Sequence, residues 1–366
     1  MQVEQRQWTP AAGWSGAVGD AGRGAPWVLV FGSRDLLAEP ERWRDLRARY
    51  PDARLFGCST AGEIHGTSVS DDSLVATAVR PARTRLAFAD VEAEPGASED
   101  AGARLAKALD PRGLAHVFVV SDGQVVNGSE LVRGLTRNLP PGVAVTGGLA
   151  GDGARFERTL VLAPDGARSG HVSVAAFYGD ALRVSYGSLG GWDPFGPARR
   201  VTSSEGNVLY ELDGKPALDL YKRYLGEHAA SLPASGLLFP LSVHVPGARG
   251  EVVRTILNVD EATQSLVFAG DVPEGSQARL MKANFDRLVD GAHGAAATSG
   301  QGLQGMKPDL AVLISCVGRK LVLRQRTEEE LEAVASVLGG GTPLAGFYSY
   351  GEICPAAPQA SCTTRR

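Results

Sequence analysis

The chain has 366 residues, 46 of them glycine and 21 proline, with 43% hydrophobic and 21% charged residues. Glycine at nearly twice its usual share, beside this much apolar content, excludes disordered, collagenous and coiled-coil classes and describes a globular chain rich in turns. Thirty-seven basic against 41 acidic side chains give a net charge of −4, which leaves no general basic field for nucleic acid or anionic lipid.

Residues 1–25 are polar and glycine-rich and read as a loose lead-in. The start lacks a basic-then-apolar leader, and no apolar run approaches the ~18 residues of a membrane span, so the expected location is cytoplasmic, without membrane insertion. Residues 27–31 (Trp-Val-Leu-Val-Phe) read as a buried strand. A helix follows with Trp43, Leu46 and Tyr50 on one face. A second strand over 53–56 runs into Gly57-Cys58-Ser59-Thr60-Ala61-Gly62-Glu63-Ile64. The order returns: a strand over 117–120, a helix over 129–139, and a strand over 143–145 that enters Gly147-Gly148-Leu149-Ala150-Gly151-Asp152. It returns again: a strand over 309–315, a helix in which Thr327 and Glu330 form a capping box, then Leu344-Ala345 leading into Gly346-Phe347-Tyr348-Ser349-Tyr350-Gly351-Glu352-Ile353. Thirty-five residues separate Val28 from Glu63 and Val117 from Asp152; 40 separate Val312 from Glu352. Three strand–helix–strand units, each ending in a glycine loop with an acid, make a degenerate internal repeat.

Antiparallel signals lie between the units, at 74–79, 86–91, 159–162, 172–178, 182–186, 208–212, 237–243, 252–259 and 265–268. Helices are expected from Pro216 onward and over 276–289, and a flexible glycine/alanine loop over 291–306. The expected fold is mixed α/β (α+β): two related sheet-containing halves of strand–helix–strand units with antiparallel additions. The expected division is 1–25 lead-in, 26–210 first domain, 211–355 second domain and 356–366 tail.

The loop acids Glu63, Asp152 and Glu352 sit just past strand ends, where ligands gather in open α/β sheets. Such an acid binds an ammonium or hydroxyl donor; the other reading is that it caps the turn that follows it. Arg319, in Ser315-Cys316-Val317-Gly318-Arg319, and Arg34, at the equivalent point of the first unit, can each fork onto a carboxylate. Both arginines beside both glutamates in one pocket would suit a zwitterion. Cys58, Ser59, Thr60, Gly62, Gly148, Cys316, Tyr348, Ser349, Tyr350 and Gly351 complete the expected lining. Cys58 is also the best candidate nucleophile, with His65 near in sequence. The chain has no nucleophile elbow, no phosphate loop and no dinucleotide fingerprint. No Cys-x-x-Cys pair occurs, and the six histidines are scattered, so neither a metal nor a cofactor is expected.

With these motifs in order the chain resembles the FIST family (F-box and intracellular signal transduction proteins) over roughly residues 25–355. The resemblance rests on 56–64, Ser121-Asp122-Gly123, 147–152, Glu211-Leu212-Asp213-Gly214-Lys215-Pro216-Ala217, Val253-Arg254, Cys316-Val317-Gly318-Arg319 and 346–353. It implies a sensory module that binds a small ligand, amino acids among the proposed ones, and passes the signal on. With 25 residues before the module and about a dozen after it, output is expected to go through a partner protein. The alternatives are an adaptor without ligand and a thiol enzyme at Cys58.

Overall fold

The computed structural model describes residues 1–247 and 251–355; the expected 356–366 tail lies outside them. Each repeated unit is a parallel strand pair joined by helical crossovers, the connection parallel strands require. Trp27–Gly32 pairs with Arg54–Ser59, Leu114–Ser121 with Ala144–Leu149, and Ala311–Cys316 with Leu344–Ser349. In all three, one glycine holds the same register: Gly57 opposite Val30, Gly147 opposite Val119, Gly346 opposite Leu313. Their φ angles are +156°, +151° and +155°, and a Cβ at any of them would stand 1.8 Å from the facing carbonyl oxygen. Only glycine fits.

Beyond its glycine loop, each unit sends its next strand into a different unit. Glu63–His65 pairs with the third unit, Gly351–Ile353 with the second, and Val161 with Cys58 of the first. Three equivalent backbone bonds close the ring: Ala61 N to Tyr348 O (2.8 Å), Tyr350 N to Leu149 O (3.3 Å) and Gly151 N to Ser59 O (2.9 Å). The three glycine loops therefore meet at one pseudo-threefold centre.

The fold is mixed α+β, with four sheets among the described residues. A separate antiparallel sheet runs from Trp192–Pro194 to Gln277–Ala283 and has its own core, including Leu209, Leu212, Tyr221, Phe268 and Leu280. Its strands lie on both sides of residue 211, so the boundary expected there falls within a sheet.

Several expectations are corrected. The lead-in contains a strand, Gln2–Thr9, that pairs with Leu74–Arg80 along its length. Residues 182–186 form no strand. In place of the first part of the helix expected over 276–289 stands the strand Gln277–Ala283, whose buried Ala278 and Leu280 carry a period of two. The expected loop is the helix Phe285–Gly302, capped by the Asn284 side chain. Its glycines serve close packing: a Cβ on Gly291 would stand 1.9 Å from Gly190 O, and one on Gly302 2.0 Å from Ser185 Oγ. Thr327 is already inside the helix Thr327–Leu338, and its hydroxyl donates to Arg324 O, so the capping box does not form.

Candidate functional site

The first glycine loop leaves its sheet at Ser59, whose Oγ accepts from Leu160 N (2.8 Å). Thr60 Oγ1 then donates to Glu63, and Ser73 gives Glu63 both its hydroxyl (2.8 Å) and its N–H (3.2 Å). Glu63 is 1% exposed. Burial pushes its carboxyl up to about 7; the three donors oppose that rise, and the nearby Asp71 adds to it.

The second loop is organised by Asp152. One carboxylate oxygen accepts from Phe156 N (2.9 Å) and the Tyr350 hydroxyl. The other accepts from Glu157 N, Arg158 N and Arg34 Nη1, at 3.0–3.1 Å. Tyr350 also stacks on Phe156, ring centres 4.3 Å apart. Asp152 thus pins the 153–158 turn and holds Arg34, which also bridges Glu157 and Asp35.

Beside these loops a cleft of about 700 Å³ opens between the first two units and the second half of the chain. Ala61, Asp71 and Ala154 line it from the first two units; His228, Lys320 and Arg324 line it from the second half of the chain. A recess of about 150 Å³ continues it, sharing Asp71, Gly153 and Ala154, and reaches Thr60, Gly62, Glu63 and Asp152. Lys320 Nζ spans the mouth, donating to Ala61 O (2.8 Å) and pairing with Asp71. Gly62 makes room for it: a Cβ there would stand 2.6 Å from Nζ.

The third loop builds a different cluster. Arg319 donates to Glu330 (2.7 Å), Gly190 O (2.9 Å) and Leu288 O (2.6 Å), joining the 185–191 segment to the Phe285–Gly302 helix. Tyr348 and Ser315 also donate to Glu330. Glu352 is exposed; desolvation by the neighbouring protein raises its carboxyl, and Arg319 opposes that rise. Opposite it in register is Gly148, where an added Cβ would press on Ile314; Gly351 lies against Leu149 and Ala269. The Cys316 thiol, pushed up to about 12 by burial, accepts from Gly318 N. Ser349 is fully buried, and its hydroxyl has no partner among the described residues.

The expected site residues therefore separate. Thr60, Gly62, Glu63 and Asp152 share the recess, while Arg319, Tyr348, Cys316 and Glu352 surround the other cluster. Arg34 and Arg319 are each engaged by different acids, so the two do not flank one zwitterion pocket. Cys58 packs among Phe31, Phe56, Val120 and Phe347 in the apolar core, where burial raises its thiol well above the ordinary value. It has neither the access nor the base that a nucleophile needs, so the structure withdraws geometric support from the thiol-enzyme reading. Sequence reasoning missed Ser33, Asp71, Asp72, Lys320, Arg324 and Glu330. Lys320 directly follows the Arg319 motif, and Glu330 was visible only as a capping residue.

A three-unit core of swapped strands, with a cleft at its loops and an antiparallel sheet inserted before the third unit, describes a two-region module. Residues 26–215 match the model of the FIST N domain and residues 217–355 that of the FIST C domain, so the chain belongs to the FIST family, which is associated with signal transduction. It is 28% identical over 239 residues to an uncharacterized protein of Mycobacterium tuberculosis, covering 62% of this chain and 60% of that one. It is 28% identical over 274 residues to an uncharacterized protein of Methanocaldococcus jannaschii, covering 67% and 51%. An uncharacterized protein of Mycobacterium bovis is 28% identical over 230 residues, covering 59% and 57%. The chain thus spans between 51% and 60% of the length of these relatives. No helix among the described residues is long and apolar enough to cross a membrane.

Proposed function

We propose that this is a cytoplasmic sensory protein that binds a small polar ligand of the amino-acid class in the 700 Å³ cleft and passes the signal to a partner protein. One observation carries the reading: the cleft draws its walls from both FIST regions, and the walls differ in charge. Asp71 and the recess acids stand on the N-terminal side; His228, Lys320 and Arg324 stand on the C-terminal side. A zwitterion laid across them directs its ammonium to the first wall and its carboxylate to the second. Arg324 is exposed and has no ion pair among the described residues, which leaves its guanidinium available for a carboxylate. The ligand competes with the Lys320–Asp71 pair that now spans the mouth, so occupancy changes how the two regions are tied together. Calorimetry of the intact protein across the common amino acids and small organic acids tests this. Saturable binding that weakens in Arg324→Gln supports the reading. A panel with no binding removes the ligand and leaves the adaptor alternative.

A further inference from the structure

Ser33 precedes the short helix Arg34–Ala38, where a serine side chain ordinarily caps the first turn. Here it makes no cap bond. The residue lines the recess and is 7% exposed, and its buried hydroxyl has no hydrogen-bond partner among the described residues. A buried, unpaired hydroxyl beside a cavity is costly unless a partner reaches it from there. Around it the recess is acidic. Asp152 is saturated by its own loop and Asp71 is paired with Lys320. Arg155 is tied to Asp35 and to Asp152 O. That leaves Ser33, Glu63 and Asp72 with acceptor capacity toward the recess. No group of His, Cys, Asp and Glu among the described residues is arranged to hold a metal ion, so an organic cation suits the recess better than an inorganic one. A primary ammonium brings three N–H donors, one for each of these acceptors.

We propose that the recess is the subsite for a primary ammonium group, with Ser33, Glu63 and Asp72 accepting its N–H bonds. This rests on the ligand-binding reading of the cleft and names the chemical class that its inner end selects. A cation entering the recess favours the ionised form of Glu63. Since burial holds that carboxyl near 7, binding below neutrality releases a proton, and affinity falls as pH drops from about 7 toward 5. The other charged groups around Glu63 are Asp71, Asp72, Asp152, Arg155 and Lys320, with His65 on its own strand and Arg6 near His65. The paired Leu344–Ser349 strand supplies neither a carboxylate nor a cation.

Ligand-observed NMR on the intact protein tests this with methylammonium, tetramethylammonium and acetate as probes. Methylammonium is expected to bind about tenfold more tightly than tetramethylammonium, which has the same charge and no N–H. Ser33→Ala is expected to weaken methylammonium about fivefold and to leave the unliganded protein at least as stable to heat, because the hydroxyl makes no bond among the described residues. Glu63→Gln is expected to abolish the pH dependence. Equal binding of the two cations, or methylammonium binding indifferent to both substitutions, overturns the assignment. If amino acids bind but ignore Ser33→Ala, the recess assignment fails and the cleft reading stands. If neither amino acids nor methylammonium binds, both fall.

Discussion

Glu63 and Glu352 hold the same place in the repeat, six residues after the strained glycine of their strands, yet their surroundings differ. Glu63 is buried at the inner end of the recess and takes hydrogen bonds from Thr60 and Ser73. Ser349 stands where Thr60 does, but its hydroxyl bonds nothing among the described residues, and Glu352 is exposed, near Arg319 and Glu330. The difference teaches that a repeated backbone does not repeat its electrostatics. Because the strands are exchanged, each acid stands opposite a residue of another unit: Glu63 faces Phe347, and Glu352 faces Gly148.

The comparison breaks hardest at Arg319. Arg319→Ala leaves Glu330 buried without its cation and is expected to cost about 3–5 kcal/mol in urea denaturation. A loss under 1 kcal/mol would show that Glu330 takes up a proton at little cost. Next comes Glu63→Gln. The Glu63 carboxyl titrates near 7 in the folded chain, against an ordinary value of 4.5. Between those values the folded state keeps a proton that the unfolded state has released. Wild-type stability therefore falls as pH rises through that window, and the variant's does not. The variant should gain about 3 kcal/mol relative to wild type between pH 4.5 and 8; a difference independent of pH would contradict the burial of Glu63. Glu352→Gln should show the same sign and a smaller slope, since solvent reaches that carboxylate. Thr60→Val removes a donor from a buried acid and should cost about 1–3 kcal/mol at pH 8. Ser349→Ala, at the matching position, should stay within about 0.5 kcal/mol, and a cost as large as that of Thr60→Val would reveal a hidden partner for Ser349.

Much of the core was legible because its signals are local. Apolar runs, an amphipathic stripe and a glycine–acid loop recur at fixed spacing, and they located all three units. The helix Phe285–Gly302 was misread for a local reason too: its glycines lower helix propensity, and only the 185–191 segment packed against them shows their use. Among the site residues, Glu63 and Asp152 could be picked out as acids beside glycine. Ser33 and Lys320 could not, because neither side chain carries a pattern that points across the chain.

The sequence by itself determined the three strand–helix–strand units, the glycines at their strand ends and the FIST resemblance, since propensity, periodicity and turn chemistry act over a few neighbouring residues. Only the tertiary structure decided which unit completes which sheet, that Arg319 serves Glu330 rather than a pocket shared with Arg34, and that the recess lies between the first two loops. Those outcomes depend on pairings such as Glu63 with Phe347 and Lys320 with Asp71. Such contacts join residues roughly 250–280 positions apart, and the packing of the whole chain selects them.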